Sequence, residues 1–266
     1  MASTKPELLI DVPNLFRLYK DGTIERLTGN EIFPPSTNLI TGVQSKDVVI
    51  DEETGISARI YVPKTTNPDY KKLPLLMYFH GGGFLIETAF SPTYHNYLDP
   101  LAAKAHVVIV SVDYKRAPEH HLPIAYDDSW AAIKWVAAHY NQGGPKVWLN
   151  DYVDFNKVFF ARDSAGGNIA HNMAVQVGIK NPEGSNLVGL DPNFSKLGCD
   201  KVLVCVAEKD ILRDRGWYYK EELEKSGWGG VVEVMEAEGE NHVFHLFNPT
   251  CDKAVAMLKR LAAFMN

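Results

Sequence analysis

Asp163-Ser164-Ala165-Gly166-Gly167-Asn168 stands between an apolar run, Lys157–Phe160, and a helix-forming stretch, Ala165–Val177. The pattern predicts a strand that turns sharply into a helix. At such a turn a serine sits on a strained backbone with its hydroxyl at the helix N-terminus, where free N–H groups and the helix dipole favour negative charge. Ser164 is the candidate nucleophile. A plainer reading makes Ser164 a helix cap and the glycines an aid to close packing; the polar clusters elsewhere in the chain argue for chemistry.

Downstream, Lys201–Val206 reads as a strand, Asp214–Lys225 as a helix, Val231–Met235 as a strand and Thr250–Phe264 as a helix. Upstream, Leu73–Phe79 and His106–Val112 are apolar runs of the kind buried on both faces of a sheet. Val48–Ile50 and Ala58–Val62, joined by the Gly-containing stretch 51–55, predict a hairpin. Ser129–His139 predicts a helix that ends at the breaker Asn141–Pro145. At the N-terminus the apolar spacing of Leu8–Leu18 predicts a short amphipathic helix starting at Asp11 or Pro13, followed by a turn at Lys20–Gly22. Together these elements predict an α/β protein: a mostly parallel sheet with helices on both faces and ligands beyond the carboxyl ends of its strands. No linker interrupts residues 1–266, which are read as one domain.

Two further clusters follow predicted strands. His80-Gly81-Gly82-Gly83-Phe84 offers backbone N–H groups unhindered by Cβ atoms, as an oxyanion hole requires. Asp210 follows strand 201–206, and His242 follows strand 231–235. The chain order Ser164, Asp210, His242 is that of an α/β-hydrolase triad. In it His242 takes the serine proton as general base, and Asp210 fixes the imidazole tautomer. Asp214 is a rival acid that looks more like part of the next helix, and His245 a rival base one helical turn on. His120-His121 lack clearly spaced partners for a four-ligand metal site, and no phosphate- or dinucleotide-binding glycine pattern occurs. No metal or organic cofactor is expected.

The net charge of −6 and the absence of any basic run longer than a dipeptide argue against nucleic acid as a partner. No apolar run approaches the ~18–20 residues that span a bilayer, and Met1–Leu18 lacks a cationic leader with an apolar core. Cys199, Cys205 and Cys251 are an odd, widely spaced set. These features predict a cytoplasmic protein without a membrane partner.

The chain resembles the plant carboxylesterases of the hormone-sensitive-lipase branch of the α/β-hydrolase fold, relatives of the gibberellin receptor and of 2-hydroxyisoflavanone dehydratase. The likeness spans nearly the whole chain. It rests on Tyr19–Gly22 with Glu25-Arg26, His80–Phe84, Asp113–His120, Leu122–Asp128, Asp163–Asn168, Glu208–Asp214 and Gly239–Phe244. The resemblance implies an N-terminal helical lid over about residues 1–30 and an oxyanion hole from the N–H groups of Gly81, Gly82 and Ala165. It implies the triad Ser164, Asp210, His242 and small carboxylic esters as substrates. A non-hydrolytic binder of a small hydrophobic metabolite, or a hydroxyisoflavanone dehydratase using the same pocket, is the alternative; His242 speaks against a pure receptor.

Two departures bear on activity. Arg162 stands where the elbow normally has glycine, so its side chain must find an exit or displace Ser164. Only 46 positions separate Ser164 from Asp210, and Gly189-Leu190 runs straight into Asp191–Cys199. One strand and part of the cap of the family are therefore missing. Because a gap would strand unpaired backbone groups, the expectation is that strand 201–206 closes against strand 157–160.

Overall fold

The computed structural model describes residues 6–64, 72–140, 143–180 and 197–266. The junction at Gly189–Asp191, the start of the breaker at Asn141 and residues 1–5 of the expected lid lie outside these ranges.

The N-terminal segment is not a helix. It forms β1 (Leu8–Val12), β2 (Phe16–Tyr19) and β3 (Ile24–Arg26), a three-stranded antiparallel sheet. Pro13-Asn14 makes a turn with Asn14 at φ 64°, a conformation asparagine tolerates, where the sequence reading had placed a helix start. The expected turn at Lys20–Gly22 closes the second hairpin, with Gly22 at φ 87°. No residue of β1–β3 lines the cavity that holds Ser164, so over residues 6–30 the helical lid is corrected to a flanking β-meander. Arg26 anchors it, with its guanidinium on the Leu85 and Ala117 carbonyls and paired with Glu119.

The hairpin follows as expected, as β4 (Gln44–Asp51) antiparallel to β5 (Ile56–Val62). β6 (Leu73–Phe79) then enters the sheet. Next comes α1 (Pro92–Ala105), a helix the sequence reading did not anticipate because Pro92 and Pro100 look like breakers. Pro92 is tolerated in the first turn, and burial of Tyr94, Leu98 and Leu101 outweighs the hydrogen bond lost at Pro100. β7 (Val108–Asp113), α2 (Ile124–Ala137), α3 (Val147–Tyr152), β8 (Val153–Arg162) and α4 (Ser164–Lys180) complete the first half. The sheet order is β4-β5-β7-β6-β8, antiparallel at β4 and β5 and parallel from β7 through β6 to β8. Leu75, Met77 and Phe79 face α2 and α4, whereas Leu76 and Tyr78 face α1. Both faces of β6 are thus buried, which is why its sequence is an unbroken apolar run.

Beyond α4 the expected closure does not occur. β9 (Lys201–Ala207) pairs in parallel with β10 (Val231–Ala237), and the two form a separate sheet. Among the described residues none pairs β8 with β9. The helices account for this. α7 (Asp252–Met265) packs against α1 and also meets both strands: Phe264 lies 6.5 Å from the Phe159 ring of β8, and Met257 clusters with Ala207 of β9. On the other face Val175 of α4 clusters with Leu223 of α5 (Arg213–Lys225) and with Val202. The helical layers thus contact both β8 and β9.

Candidate active site

Each site residue stands at the carboxyl end of a strand. Ser164 stands two residues beyond the end of β8 with φ 45°, a left-handed conformation that non-glycine residues rarely adopt and that lifts its hydroxyl out of the helix start. The turn requires Gly166, because a Cβ there would collide with the Phe79 carbonyl at the end of β6. Asp210 follows β9 in a turn closed by its own N–H on the Ala207 carbonyl at 3.1 Å. His242 precedes α6 (Phe244–Phe247), with Val243 at φ 47°. The Asp210 and His242 loops are tied to each other: the Lys209 N–H donates to the Glu240 carbonyl at 2.9 Å, and Gly239 N–H to the Glu208 carboxylate at 2.5 Å.

These loops bring the three residues into one hydrogen-bonded row. Ser164 Oγ lies 2.9 Å from His242 Nε2, and His242 Nδ1 lies 2.7 Å from Asp210 Oδ2. The other Asp210 oxygen accepts the Leu212 N–H at 2.8 Å, which orients the carboxylate. The rivals are elsewhere. Asp214 is exposed and paired with Arg213. His245 is buried edge-on against Tyr97 at 4.9 Å, and burial lowers its pKa to about 4.

Arg162 finds an exit. Its guanidinium donates to the Gly167 carbonyl and lies 5.6 Å from the Tyr219 ring of α5, and Ser164 stays within hydrogen-bonding distance of His242.

The glycine loop differs in detail from the expectation. The Gly81 N–H donates to the Tyr94 hydroxyl at 2.7 Å and is engaged within the protein. Gly82 and Gly83 both have positive φ, at 92° and 64°, and Gly83 lines the same cavity as Ser164. The Ala165 N–H lies in the first turn of α4, where no intrahelical partner exists. His80 supports the loop from beneath: it is fully buried, stacked on Tyr114 at 4.2 Å, and desolvation lowers its pKa to about 3, so it stays neutral.

The sequence reading passed over one group, Asp163. Its buried carboxyl accepts hydrogen bonds from the Tyr78 and Tyr94 hydroxyls, each at 2.9 Å, while desolvation raises its pKa to about 6. No spacing rule points to these partners, which come from β6 and α1. Among the described residues no group of three or more His, Cys, Asp or Glu could hold a metal ion, and no helix is long and apolar enough to cross a membrane.

Known proteins resemble this chain in sequence and in fold. A family model described as the alpha/beta hydrolase fold matches in two pieces, residues 76–191 and 179–246. The chain is 43% identical to probable carboxylesterase 7 of Arabidopsis thaliana over 97% of its own length and 98% of that protein. It is 38% identical to 2-hydroxyisoflavanone dehydratase of Glycyrrhiza echinata, covering 99% of this chain and 98% of that one. Among solved structures, an esterase of Pyrobaculum calidifontis superposes with a TM-score of 0.69 at 26% identity, over 84% of each chain. With a strained serine after a parallel strand, and an acid and a histidine after the next two strands in that order, the chain belongs to the alpha/beta-hydrolase family.

Proposed function

We propose that this protein is a serine carboxylesterase that hydrolyses small carboxylic esters through an acyl-enzyme on Ser164. The observation that carries the reading is the row Ser164–His242–Asp210, with its separations of 2.9 and 2.7 Å. Its relatives named as carboxylesterases and the esterase among its structural neighbours support it.

In the first step Ser164 Oγ attacks the ester carbonyl carbon while its proton passes to His242 Nε2. Asp210 accepts the Nδ1–H and offsets the charge of the imidazolium. The carbonyl oxygen becomes an oxyanion, which the N–H groups of Gly82, Gly83 and Ala165 receive. This set replaces Gly81 by Gly83, because the Gly81 N–H is already engaged by Tyr94. Collapse of the tetrahedral adduct breaks the ester C–O bond, and His242 returns the proton to the departing alcohol. Water then repeats the sequence on the acyl-serine, giving the acid and free Ser164.

The test is covalent labelling with a fluorophosphonate together with hydrolysis of a short-chain chromogenic ester, by folded protein and by Ser164→Ala. Labelling and turnover that both vanish in the variant are the expected result. A folded protein that neither labels nor turns over ester overturns the proposal and leaves a binding protein or an inactive enzyme.

A further inference from the structure

The loop after β6 holds Gly82 at φ 92°, Gly83 at 64°, Phe84 at 66° and Glu87 at 68°. Phenylalanine and glutamate rarely take this conformation, and it persists only where the surroundings hold it. The same loop carries two of the three N–H groups proposed to receive the oxyanion, so whatever holds it bears on turnover.

The restraints run outward from two peptide planes. In a planar trans peptide the N–H points opposite to the C=O, so a fixed carbonyl fixes the N–H that follows it. The Gly81 carbonyl accepts from His80 Nδ1 at 2.9 Å and from the Tyr114 hydroxyl at 3.2 Å, which sets the Gly82 N–H. The Gly82 carbonyl accepts the Leu85 and Ile86 N–H groups, both at 3.0 Å, which sets the Gly83 N–H. The first plane is held by buried residues beneath the loop. The second depends on residues 85 and 86, which belong to the same strained loop and need an anchor outside it.

Arg26, the last residue of β3, supplies that anchor. Its side chain is only 10% exposed, and it donates from Nε to the Leu85 carbonyl and from Nη2 to the Ala117 carbonyl at 2.9 Å. The Ala117 N–H in turn donates to the Phe84 carbonyl at 2.9 Å. One guanidinium thereby pins two successive loop carbonyls, one directly and one through residue 117. Glu119 aims it from the other side, with its two oxygens 2.7 and 2.6 Å from the guanidinium nitrogens. That contact lowers the Glu119 pKa to about 2, so the pair stays charged at neutral pH. The segment beyond β3 continues along the loop: a Cβ on Gly29 would stand 2.4 Å from the Glu87 nitrogen, and the Phe33 N–H donates to the Phe90 carbonyl at 2.9 Å.

We infer that Arg26 is a positioning residue for ester hydrolysis: it fixes the Gly82–Leu85 turn so that the Gly83 N–H stands where the oxyanion develops. The inference rests on the hydrolytic reading proposed above. Arg26 does not line the Ser164 cavity, so its effect passes through the loop backbone. Released from Arg26, the turn relaxes toward ordinary backbone conformations, and the oxyanion loses a donor that the ground-state ester does not need. Arginine suits the task because its planar fork serves two carbonyls and a carboxylate at once, which a lysine ammonium does not.

The test compares the full-length parent with Arg26→Ala, Arg26→Lys and Glu119→Gln. The readouts are turnover of a short-chain chromogenic ester, inhibition by a trifluoromethyl ketone that forms a hemiketal oxyanion on Ser164, and backbone amide exchange followed by mass spectrometry. In Arg26→Ala kcat should fall about 10–100-fold with KM within about twofold, and the inhibition constant should rise by the factor that kcat falls. Exchange should quicken in 82–87 while β6 and α4 stay as protected as in the parent. Arg26→Lys should lose nearly as much, although it keeps a positive charge beside Glu119. Glu119→Gln removes the charge pair but leaves Arg26 and both carbonyls, and its kcat should stay within about threefold of the parent.

Three results overturn the inference: kcat unchanged in Arg26→Ala; quickened exchange confined to β1–β3, Arg26 then only fastening the meander; or a loss in Glu119→Gln equal to that in Arg26→Ala, the ion pair rather than the carbonyl contacts being what matters. If Arg26→Ala does not fold, Arg26→Lys decides by the same readouts. A parent that neither turns over ester nor binds the ketone fails the proposed activity instead, and exchange in 82–87 still decides whether Arg26 holds the loop.

Discussion

The Tyr94 hydroxyl donates to Asp163 Oδ2 at 2.9 Å and at the same time accepts the Gly81 N–H at 2.7 Å. One side chain from α1 thereby fastens the residue before the proposed nucleophile, Ser164, to the loop proposed to stabilise the oxyanion. Tyr94→Phe keeps the packing but leaves the Gly81 N–H without its acceptor and Asp163 with one donor fewer. The expected cost is about 1–3 kcal/mol of stability. The expected fall in kcat is about 10–100-fold, with KM nearly unchanged, because only the oxyanion contacts are disturbed. Chemical denaturation and steady-state kinetics of the variant check both.

Replacement of Asp210 by Asn should leave Ser164 and His242 in place and lower kcat by about 10⁴-fold, since the amide favours the wrong imidazole tautomer. Asp214→Asn should change kcat by less than about twofold, because that side chain is exposed and engages only Arg213. Comparable losses in the two variants would reassign the acid.

Arg162→Ala should reduce stability by about 1 kcal/mol, through loss of the contact with the Tyr219 ring and the bond to the Gly167 carbonyl. Turnover should stay within about threefold of the parent, because the elbow is held by Gly166 and Ser164 rather than by the guanidinium. A large gain in kcat would show instead that Arg162 displaces the serine.

Acid should destabilise the fold through its buried histidines. His245 has a folded pKa near 4, below the ordinary value of 6.5, so the unfolded chain binds a proton that the folded chain refuses between those values. Its contribution is fully present above pH 6.5 and is lost as pH falls toward 4, by about 2–3 kcal/mol for a shift of this size. Asp163 acts in the opposite sense: its folded pKa near 6 exceeds the ordinary 3.8, so its ionisation costs stability as pH rises from about 4 to 6. Unfolding free energies measured from pH 4 to 7 should fall less steeply toward acid in His245→Phe than in the parent, and more steeply in Asp163→Asn.

Ser164, Asp210 and His242, the proposed triad, could be singled out in the sequence because each follows an apolar strand and their order is distinctive, and the structure brings the three within hydrogen-bonding distance. The strands that position them were legible for the same reason: β6, β8, β9 and β10 carry strong apolar runs. The N-terminal meander was not, since Leu8–Leu18 fits a helical spacing and only the turn at Asn14 decides against it. Which glycine N–H is free was equally hidden, because it depends on Tyr94, which is 13 residues away and on a helix masked by its prolines. The separation of β8 from β9 escaped for a different reason. Unpaired edges argue for closure, but the outcome depends on how α4, α5 and α7 pack, and that is set by many weak contacts rather than by any motif.

Ser164 follows a strand of the larger sheet, whereas Asp210 and His242 follow the two strands of the smaller one, and no strand pairing joins the sheets among the described residues. Turnover therefore demands that two separately hydrogen-bonded units stay docked to within a hydrogen bond, a more stringent condition than that each stay folded. Catalysis becomes a gauge of their alignment: in rising denaturant the rate should vanish while the circular dichroism of both sheets persists, and the gap between the two midpoints measures how weakly the halves are held together.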